Sequence, residues 1–348
     1  MKLIKNIQIY APDNLGVKDV LISDSKIEKI DDRIELSYPI ETIDGTGCIL
    51  TPGLIDRHVH ITGGGGEAGF ISRAKPIDVQ EILDAEPMIK NPEQGITETN
   101  NEGTLEFENV TFVYPDGEEP VIKNVSFSAK KGETIAFIGS TGSGKSTLIN
   151  LIPRFYDVTA GSIRIDGIDV RKFNLKALRK KIGFIRQKNL LFTGTIKSNI
   201  KFGKPHATHD EVEHSARIAQ AYDFITNKEK GFDEPISEGG SNVSGGQKQR
   251  LSIARALVRK PEIYIFDDSF SALDFKTDAI LRKALKKETT DAIVLIVAQR
   301  IGSIMDADKI IVLDEGKVVG VGKHKELLKT CNVYHEIALS QLTEEELA

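Results

Sequence analysis

The sequence predicts an α/β fold in which buried parallel strands alternate with helices, preceded by a smaller β-rich segment. The apolar run at residues 134–138 is typical of a strand buried on both faces, and a glycine-rich stretch joins it to a helical pattern at 146–152. Similar β-branched runs follow at 182–187, 263–266 and 293–297. Strands that are apolar throughout indicate a sheet covered on both faces, which is the arrangement of α/β proteins.

Composition narrows the possible functions. With 348 residues, 40% hydrophobic and 28% charged, the chain is long enough for two globular units. Its net charge is −5 and no basic cluster is interleaved with aromatic residues, so a nucleic-acid partner is not expected. Cys48 and Cys331 lack the spacing of metal ligands and suit a reducing cytosol. No uncharged apolar run approaches the roughly 20 residues of a membrane span, so a membrane is expected only through a partner.

The glycine-rich stretch at 139–147 predicts a phosphate-binding loop. It lies between a strand and a helix, which is the context that such a loop requires. Its glycines allow main-chain N–H groups to turn around a polyphosphate, and the helix that follows adds the positive end of its dipole. Lys145 would reach the β- and γ-phosphates of a bound nucleotide, and Ser146 would ligate Mg²⁺. The residues predicted to cradle the nucleotide are Gly139, Ser140, Thr141, Gly142, Ser143, Gly144, Lys145, Ser146 and Thr147.

A second glycine-containing segment and an acidic strand end follow the phosphate loop. Ser244–Gln247 precedes a helix predicted at 250–259, and it places a serine and glycines where a helix N-terminus can bind an anion. A buried strand then ends in Asp267 and Asp268. In this order the motifs resemble those of the ATP-binding domain of ABC exporters, and the resemblance covers residues 104–342.

The resemblance implies a P-loop NTPase fold of ABC type, with a RecA-like core, an antiparallel β subdomain and a helical subdomain. Tyr114 would stack on adenine, unless it is a strand tyrosine that only covers the core. Gln187 would reach the Mg²⁺ shell, and the loop at 188–195 would meet a transmembrane partner. Asp267 would hold Mg²⁺ through water. The residues of the signature motif and the D-loop that would act at a nucleotide are Ser244, Gly245, Gly246, Gln247 and Asp274.

Two catalytic positions depart from the family pattern. The family usually has glutamate after the Walker B aspartate, where this chain has Asp268, and histidine at the switch position, where it has Gln299. General-base assistance contributes about 10²–10⁴-fold, so a carboxylate one methylene too short could raise the barrier by about 3–5 kcal/mol. The pairing resembles the degenerate half of heterodimeric exporters. In the alternative, the aspartate and glutamine serve and the site turns over.

Residues 1–72 carry a different resemblance. Short alternating bursts of apolar and polar residues predict a small antiparallel β unit at their start. Residues 52–60 and the glycine-rich stretch 63–70 resemble the opening of an isoaspartyl dipeptidase, a metal-dependent amidohydrolase, and this implies that His58 and His60 ligate zinc. The remaining ligands would need a barrel of about 250 residues, which the sequence does not contain. We therefore expect an incomplete fragment, with Zn²⁺ binding not expected.

Residues 73–103 predict a linker. They are polar and contain proline and glutamate, and residues 73–92 resemble the segment that leads from the last membrane helix of an ABC exporter to its ATPase domain. The change of texture near residue 71 is abrupt enough to predict a chimeric or recombined chain. Residues 343–348 are predicted to be a tail.

Together these features predict the ATP-binding domain of an ABC half-transporter that lacks its own membrane helices. It is expected to be the degenerate-site half of a heterodimer and to hydrolyse ATP weakly or only with its partner. Its expected partners are a second, different half-transporter subunit and transmembrane domains, which places it in the cytoplasm or at the cytoplasmic face of the membrane. Two alternatives remain open. One is an ATP-regulated zinc amidohydrolase, and the other is a non-transport ABC ATPase.

Overall fold

The computed structural model describes residues 2–10, 14–23, 26–36, 39–46, 49–50 and 87–342. The chain divides into two compact units, residues 1–86 and residues 87–348. Among the described residues, none of the helices is both long enough and apolar enough to cross a bilayer.

The first unit contains a β-sheet whose small core includes Ile7, Ile9 and Val20. The expectation of an antiparallel unit holds for only part of it, because β4 and β5 pair with β1 in parallel. A parallel pair needs a crossover connection, which short alternating bursts of sequence do not reveal. The strands are β1 (Lys2–Tyr10), β2 (Asn14–Ser23), β3 (Lys26–Asp31), β4 (Glu41–Asp44) and β5 (Ile49–Leu50), and β1, β2 and β3 pair as antiparallel neighbours.

The second unit contains a six-stranded sheet in the order β11-β14-β15-β8-β16-β17 and a four-stranded sheet in the order β10-β9-β6-β7. The larger sheet is parallel except for its last pair. The smaller sheet is antiparallel. The strands are β6 (Thr104–Phe112), β7 (Ile122–Lys130), β8 (Thr134–Ile138), β9 (Ala160–Ile165), β10 (Ile168–Asp169), β11 (Ile182–Ile185), β12 (Gly194–Thr195), β13 (Pro235–Ile236), β14 (Ile263–Asp267), β15 (Ile293–Val297), β16 (Lys309–Asp314) and β17 (Lys317–Gly322).

Nine α-helices complete the described part of this unit. They are α1 (Lys145–Leu151), α2 (Leu175–Lys180), α3 (Ile196–Lys201), α4 (His209–Ile218), α5 (Tyr222–Thr226), α6 (Gly245–Leu257), α7 (Phe275–Glu288), α8 (His324–Thr330) and α9 (Asn332–Leu339). The α/β fold with a parallel core sheet, an antiparallel β part and a helical part is confirmed.

The six-stranded sheet is buried on both faces, which explains its uninterrupted apolar strands. In β8, Ala136 and Ile138 belong to the hydrophobic core on the helical side. Ile135 and Phe137 alternate with them and belong to the core shared with the antiparallel sheet. The period of two along the strand therefore divides its side chains between two cores.

Residues 87–103, the second part of the predicted linker, contact the body of the second unit. The Ile96 N–H donates to the Lys172 carbonyl at 2.9 Å, and the Ile96 carbonyl accepts from the Asn174 N–H at the same distance. The Asp166 carboxylate accepts from the Thr99 hydroxyl at 2.6 Å and the Gly103 N–H at 2.8 Å. This stretch is thus fixed by specific hydrogen bonds. The predicted boundaries at 72, 103 and 342 stay predictions.

Candidate functional site

Four neighbouring parallel strands deliver the predicted site residues to one edge of the sheet. β11, β14, β15 and β8 lie side by side in that order and run in the same direction. Gly139 directly follows β8, Asp267 ends β14, and Gln187 and Gln299 come two residues after β11 and β15. Ligands of open α/β sheets bind at the carboxyl ends of the strands, so the site lies where this topology favours it.

The phosphate loop has a main-chain conformation that requires glycine at two positions. Gly139 has φ +156°, and a Cβ there would lie 2.0 Å from the Leu313 carbonyl oxygen. Gly144 has φ +95°, and its Cβ would lie 2.8 Å from Cδ1 of Ile122. At Gly142, with φ +85°, a Cβ would meet nothing within 4 Å. The loop is therefore packed against β16 and β7 and open at Gly142, which leaves room for a ligand along its main chain.

Lys145 lies inside the curve of this loop. Its ammonium group donates to the carbonyls of Gly139 and Ser140 at 2.8 and 2.6 Å, and to the Ser143 hydroxyl at 3.1 Å. Burial lowers the pKa of Lys145, while the nearby Asp268 and Asp267 oppose that shift. A cation whose direct hydrogen-bond partners are all neutral oxygens is suited to the negative charge of a polyphosphate.

Ser146 and Asp267 form the candidate magnesium position. The Ser146 hydroxyl donates to Oδ1 of Asp267 at 3.0 Å. Burial raises the pKa of Asp267, and the Ser146 hydrogen bond and Lys145 counteract it. Hydroxyl and carboxylate oxygens are the ligands that Mg²⁺ prefers, with waters completing its shell, so the donor set fits this ion. Among the described residues no cluster of three histidine, cysteine or acidic side chains could hold a different metal.

Asp268 is held by two amide side chains. Nε2 of Gln187 donates to Oδ2 of Asp268 at 2.9 Å, and Nε2 of Gln299 donates to the same oxygen at 2.8 Å. Asp268 is only 7% exposed and has φ +46°, a left-handed conformation in which aspartate is tolerated better than glutamate. Burial raises the pKa of Asp268, whereas the Gln187 hydrogen bond lowers it. The three residues form an amide clamp that fixes one carboxylate oxygen.

The loop that carries Gln299 is held from behind by Gln341. Nε2 of Gln341 donates to the Gln299 carbonyl at 2.8 Å, and Oε1 of Gln341 accepts from the Ile301 N–H at 2.8 Å. Between them, Arg300 places its guanidinium 3.4 Å from the Ser271 carbonyl. Sequence motifs do not identify Gln341, because it lies 42 residues further along the chain, beyond α9.

Tyr114 lies beside the phosphate loop. Its hydroxyl is 3.0 Å from that of Thr147, and its ring packs edge-on against Phe112 and Tyr156, with centroids 4.8 and 5.2 Å away. The ring is half-buried. The tyrosine is therefore tied to the loop, in a position compatible with both the stacking role and the core-covering role.

The signature segment caps helix α6. The Ser244 hydroxyl accepts from the Gln247 N–H at 3.3 Å, and the Gln247 side chain accepts from the Ser244 N–H at 3.1 Å, which forms a capping box. The helix begins at Gly245, not at residue 250 as expected, because polar residues in its first turns conceal its apolar periodicity. Among the described residues, no hydrogen bond joins this segment to the phosphate loop of the same chain.

The D-loop leads into helix α7. Asp274 caps the helix by accepting from the Thr277 N–H at 3.0 Å, and this bond lowers the pKa of Asp274. The next residue, Phe275, is 81% exposed, and the Arg300 guanidinium lies 5.4 Å from its ring centroid. Asp274 thus has a structural role as a helix cap. Its predicted contact with a nucleotide stays a prediction.

The histidines of the predicted zinc pair, His58 and His60, lie outside the described residues, as do the glycines at 63–66. The resemblance of residues 1–72 to a dipeptidase therefore stays a prediction.

The sequence pattern of the family described as "ABC transporter" matches residues 122–271. A putative multidrug export ATP-binding/permease protein of Staphylococcus aureus (strain NCTC 8325) is 44% identical over 259 residues, which is 74% of this chain and 45% of that protein. The corresponding protein of strain COL has the same identity and coverage.

Among solved structures, a bacterial Atm1-family ABC exporter with ATP bound is similar, with a TM-score of 0.73 and 34% sequence identity. The match covers 76% of this chain and 47% of the exporter chain. This chain therefore spans about half the length of the relatives that it matches.

Proposed function

We propose that this chain, whose ATP-binding domain is similar to those of ABC multidrug exporters, is the slowly hydrolysing half of a heterodimeric exporter. The observation that carries this proposal is the amide clamp on Asp268. In it, the two residues that depart from the family pattern are bonded to each other.

The clamp disfavours water activation for two reasons. Hydrolysis requires a water oxygen to bond to the γ-phosphorus while the bond to the β-bridging oxygen breaks, and the water proton must pass to a base. Two amide donors occupy one oxygen of the Asp268 carboxylate, so this oxygen is less available to accept a hydrogen bond and a proton from the attacking water. The short side chain is also fixed in place, so it cannot extend toward the phosphate.

The residues that bind ATP are intact by comparison. Lys145 and the main-chain N–H groups of the loop would hold the β- and γ-phosphates, and Tyr114 would face the adenine. Ser146 and Asp267 would hold Mg²⁺, with Gln187 at the edge of its shell, and the ion would neutralise charge on the phosphates. We therefore expect the site to bind ATP well and to hydrolyse it slowly.

The signature segment would act on the nucleotide of a partner subunit. Ser244 and Gly245 are exposed, and no side chain of this chain's own phosphate loop bonds to them in the described structure. The first turn of α6, a helix of 13 residues, offers main-chain N–H groups to an anion from outside. In a head-to-tail pair this intact segment would complete the partner's site, where fast hydrolysis would occur.

A membrane-embedded partner would dock near the loop that follows Gln187. Leu190, Phe192 and Phe202 are 61%, 40% and 62% exposed and form an apolar patch, with the two phenylalanine rings 4.5 Å apart. Arg255 of helix α6 donates to the Leu190 carbonyl at 2.9 Å, so the patch is connected to the signature helix. Exposed apolar patches of this kind mark protein contacts. We propose that it contacts transmembrane domains, which places the protein at the cytoplasmic face of a membrane.

ATP hydrolysis by the reconstituted pair tests the division of labour. Substituting glutamine for the partner's Walker B glutamate should reduce turnover at least 100-fold, because that residue serves the fast site. Asp268→Asn in this chain should reduce turnover by less than threefold. A large loss with Asp268→Asn, or a small one with the partner variant, would overturn the assignment. A large loss with Asp268→Asn would instead favour the alternative in which this chain's own site hydrolyses ATP with Asp268 and Gln299.

A further inference from the structure

Gln341 contacts the loop that carries Gln299 through both its amide nitrogen and its amide oxygen. It donates to the Gln299 carbonyl and accepts from the Ile301 N–H, each at 2.8 Å. The residue between them, Arg300, is extended, with φ −104° and ψ +126°. An extended residue presents these two groups on one side, so Gln341 bonds them as a neighbouring strand would.

The base from which Gln341 extends is rigid. Its main-chain N–H donates to the Ala338 carbonyl at 3.0 Å, and the Leu342 N–H donates to the same oxygen at 2.9 Å. Helix α9 is anchored in turn by Tyr334 and Ala338, both fully buried. Leu342 packs against the same core. Because the main chain at its root is already ordered, only the rotamers of the Gln341 side chain remain to be fixed when it bonds the loop.

The side of the loop opposite Gln341 faces Asp268. The side chain of Gln299 donates to Asp268, while the main chain of Gln299 is bonded by Gln341. Ala298, directly before it, donates to the Phe137 carbonyl at 3.1 Å. The position of the Gln299 amide is thus set on one side by the sheet and on the other side by Gln341.

We propose that Gln341 is a positioning residue for ATP hydrolysis, which fixes the main chain around Arg300 and so keeps the Gln299 amide on Asp268 in the amide clamp. This inference rests on the proposed function, because it assumes that ATP is hydrolysed, however slowly, at this site. It makes the end of helix α9 part of the hydrolytic apparatus.

Hydrogen exchange and kinetics on the full chain test the proposal. Gln341→Met keeps the length and volume of the side chain and removes both hydrogen bonds. The Ile301 amide should then exchange at least about fivefold faster, while the Ile311 amide in the core strand β16 is unchanged. The kcat for ATP should rise about fivefold to tenfold, because the Gln299 amide then releases Asp268, and KM should stay within twofold because the phosphate loop is untouched.

Two further variants separate positioning from a general effect on folding. Ser340→Ala removes the bond from the adjacent hydroxyl to the Ile337 carbonyl, and it should change neither the exchange rate nor kcat. In a Gln299→Ala background, Gln341→Met should change kcat by less than twofold, since it acts through Gln299.

The proposal is overturned by unchanged exchange at Ile301, by a kcat that is unchanged or lowered, or by an effect of Gln341→Met on kcat that is just as large in the Gln299→Ala background. Failure of the proposed function has a different signature. In that case Lys145→Ala and the parent chain would bind ATP equally, whatever happens to Ile301 exchange.

Discussion

The phosphate loop and the hydrolytic corner, which consists of Asp268, Gln187 and Gln299, lie at the ends of neighbouring strands. They differ in that the residues of the loop suit ATP binding, whereas those of the corner do not suit rapid hydrolysis. The loop holds Lys145 among neutral oxygens and leaves space at Gly142. In the hydrolytic corner, by contrast, the side chains of Gln187 and Gln299 both donate to one oxygen of Asp268, so this carboxylate is already engaged within the chain.

The difference shows that binding and hydrolysis depend on separate groups in this fold. Phosphate binding uses main-chain N–H groups and one cation, which the strand-loop-helix connection preserves. Activation of water uses the length and basicity of a single side chain, which one substitution can remove. Variants on each side should therefore change different measured quantities.

The largest effect is expected from Lys145→Ala on the binding side. Loss of charge-assisted bonds to two phosphates should raise the Kd for a fluorescent ATP analogue about 100-fold, measured by titration in the presence of Mg²⁺. Lys176→Ala, on the exposed surface of α2, is the matched control and should bind as the parent does. Equal affinity for Lys145→Ala and the parent would remove the phosphate loop from the account.

A smaller effect is expected from Asp267→Asn. This variant tests, in the absence of ATP, whether the buried charge of Asp267 destabilises the folded protein. Burial raises the pKa of Asp267, so its ionised form destabilises the folded protein at neutral pH. The amide should raise the Tm by about 1–3 °C at pH 7, and this gain should shrink as the pH falls through the carboxyl's pKa and the parent becomes neutral.

Asp274→Asn is the control of opposite sign. A hydrogen bond from Thr277 lowers the pKa of Asp274, so its ionised form stabilises the protein above its ordinary pKa. The variant should have a Tm equal to or slightly below that of the parent at pH 7, with the difference lost in acid. A Tm that falls for Asp267→Asn at pH 7 would contradict the assigned cost of burial.

The fold could be predicted where local sequence determines local structure. The run at 134–138 indicated a strand buried on both faces, and β8 is such a strand. The apolar period alone places the start of helix α6 too late, although Ser244 and Gln247 have the spacing of a capping box and mark the true start. The mixed pairing of β1 depends on a crossover, which leaves no periodic trace in the sequence.

The sequence could predict which residues belong to the candidate site, but not the hydrogen bonds that join them. Asp268 and Gln299 were recognised as departures from a pattern, whereas their mutual bond follows from the adjacency of β14 and β15. Gln341 carried no signal, because glutamine near the end of a helix is common and its partners are main-chain groups. Contacts of that kind are specified by packing and not by residue type.

The most direct test of the central claim is the lifetime of ATP bound to the chain in a single turnover with excess protein. The account predicts that radiolabelled ATP binds to the parent and to the double variant Asp268→Glu, Gln299→His with affinities within about threefold. It predicts that the double variant hydrolyses the bound ATP about 100-fold faster, because it restores the length of the base and removes one amide of the clamp. Equal rates of hydrolysis with equal affinities would contradict it.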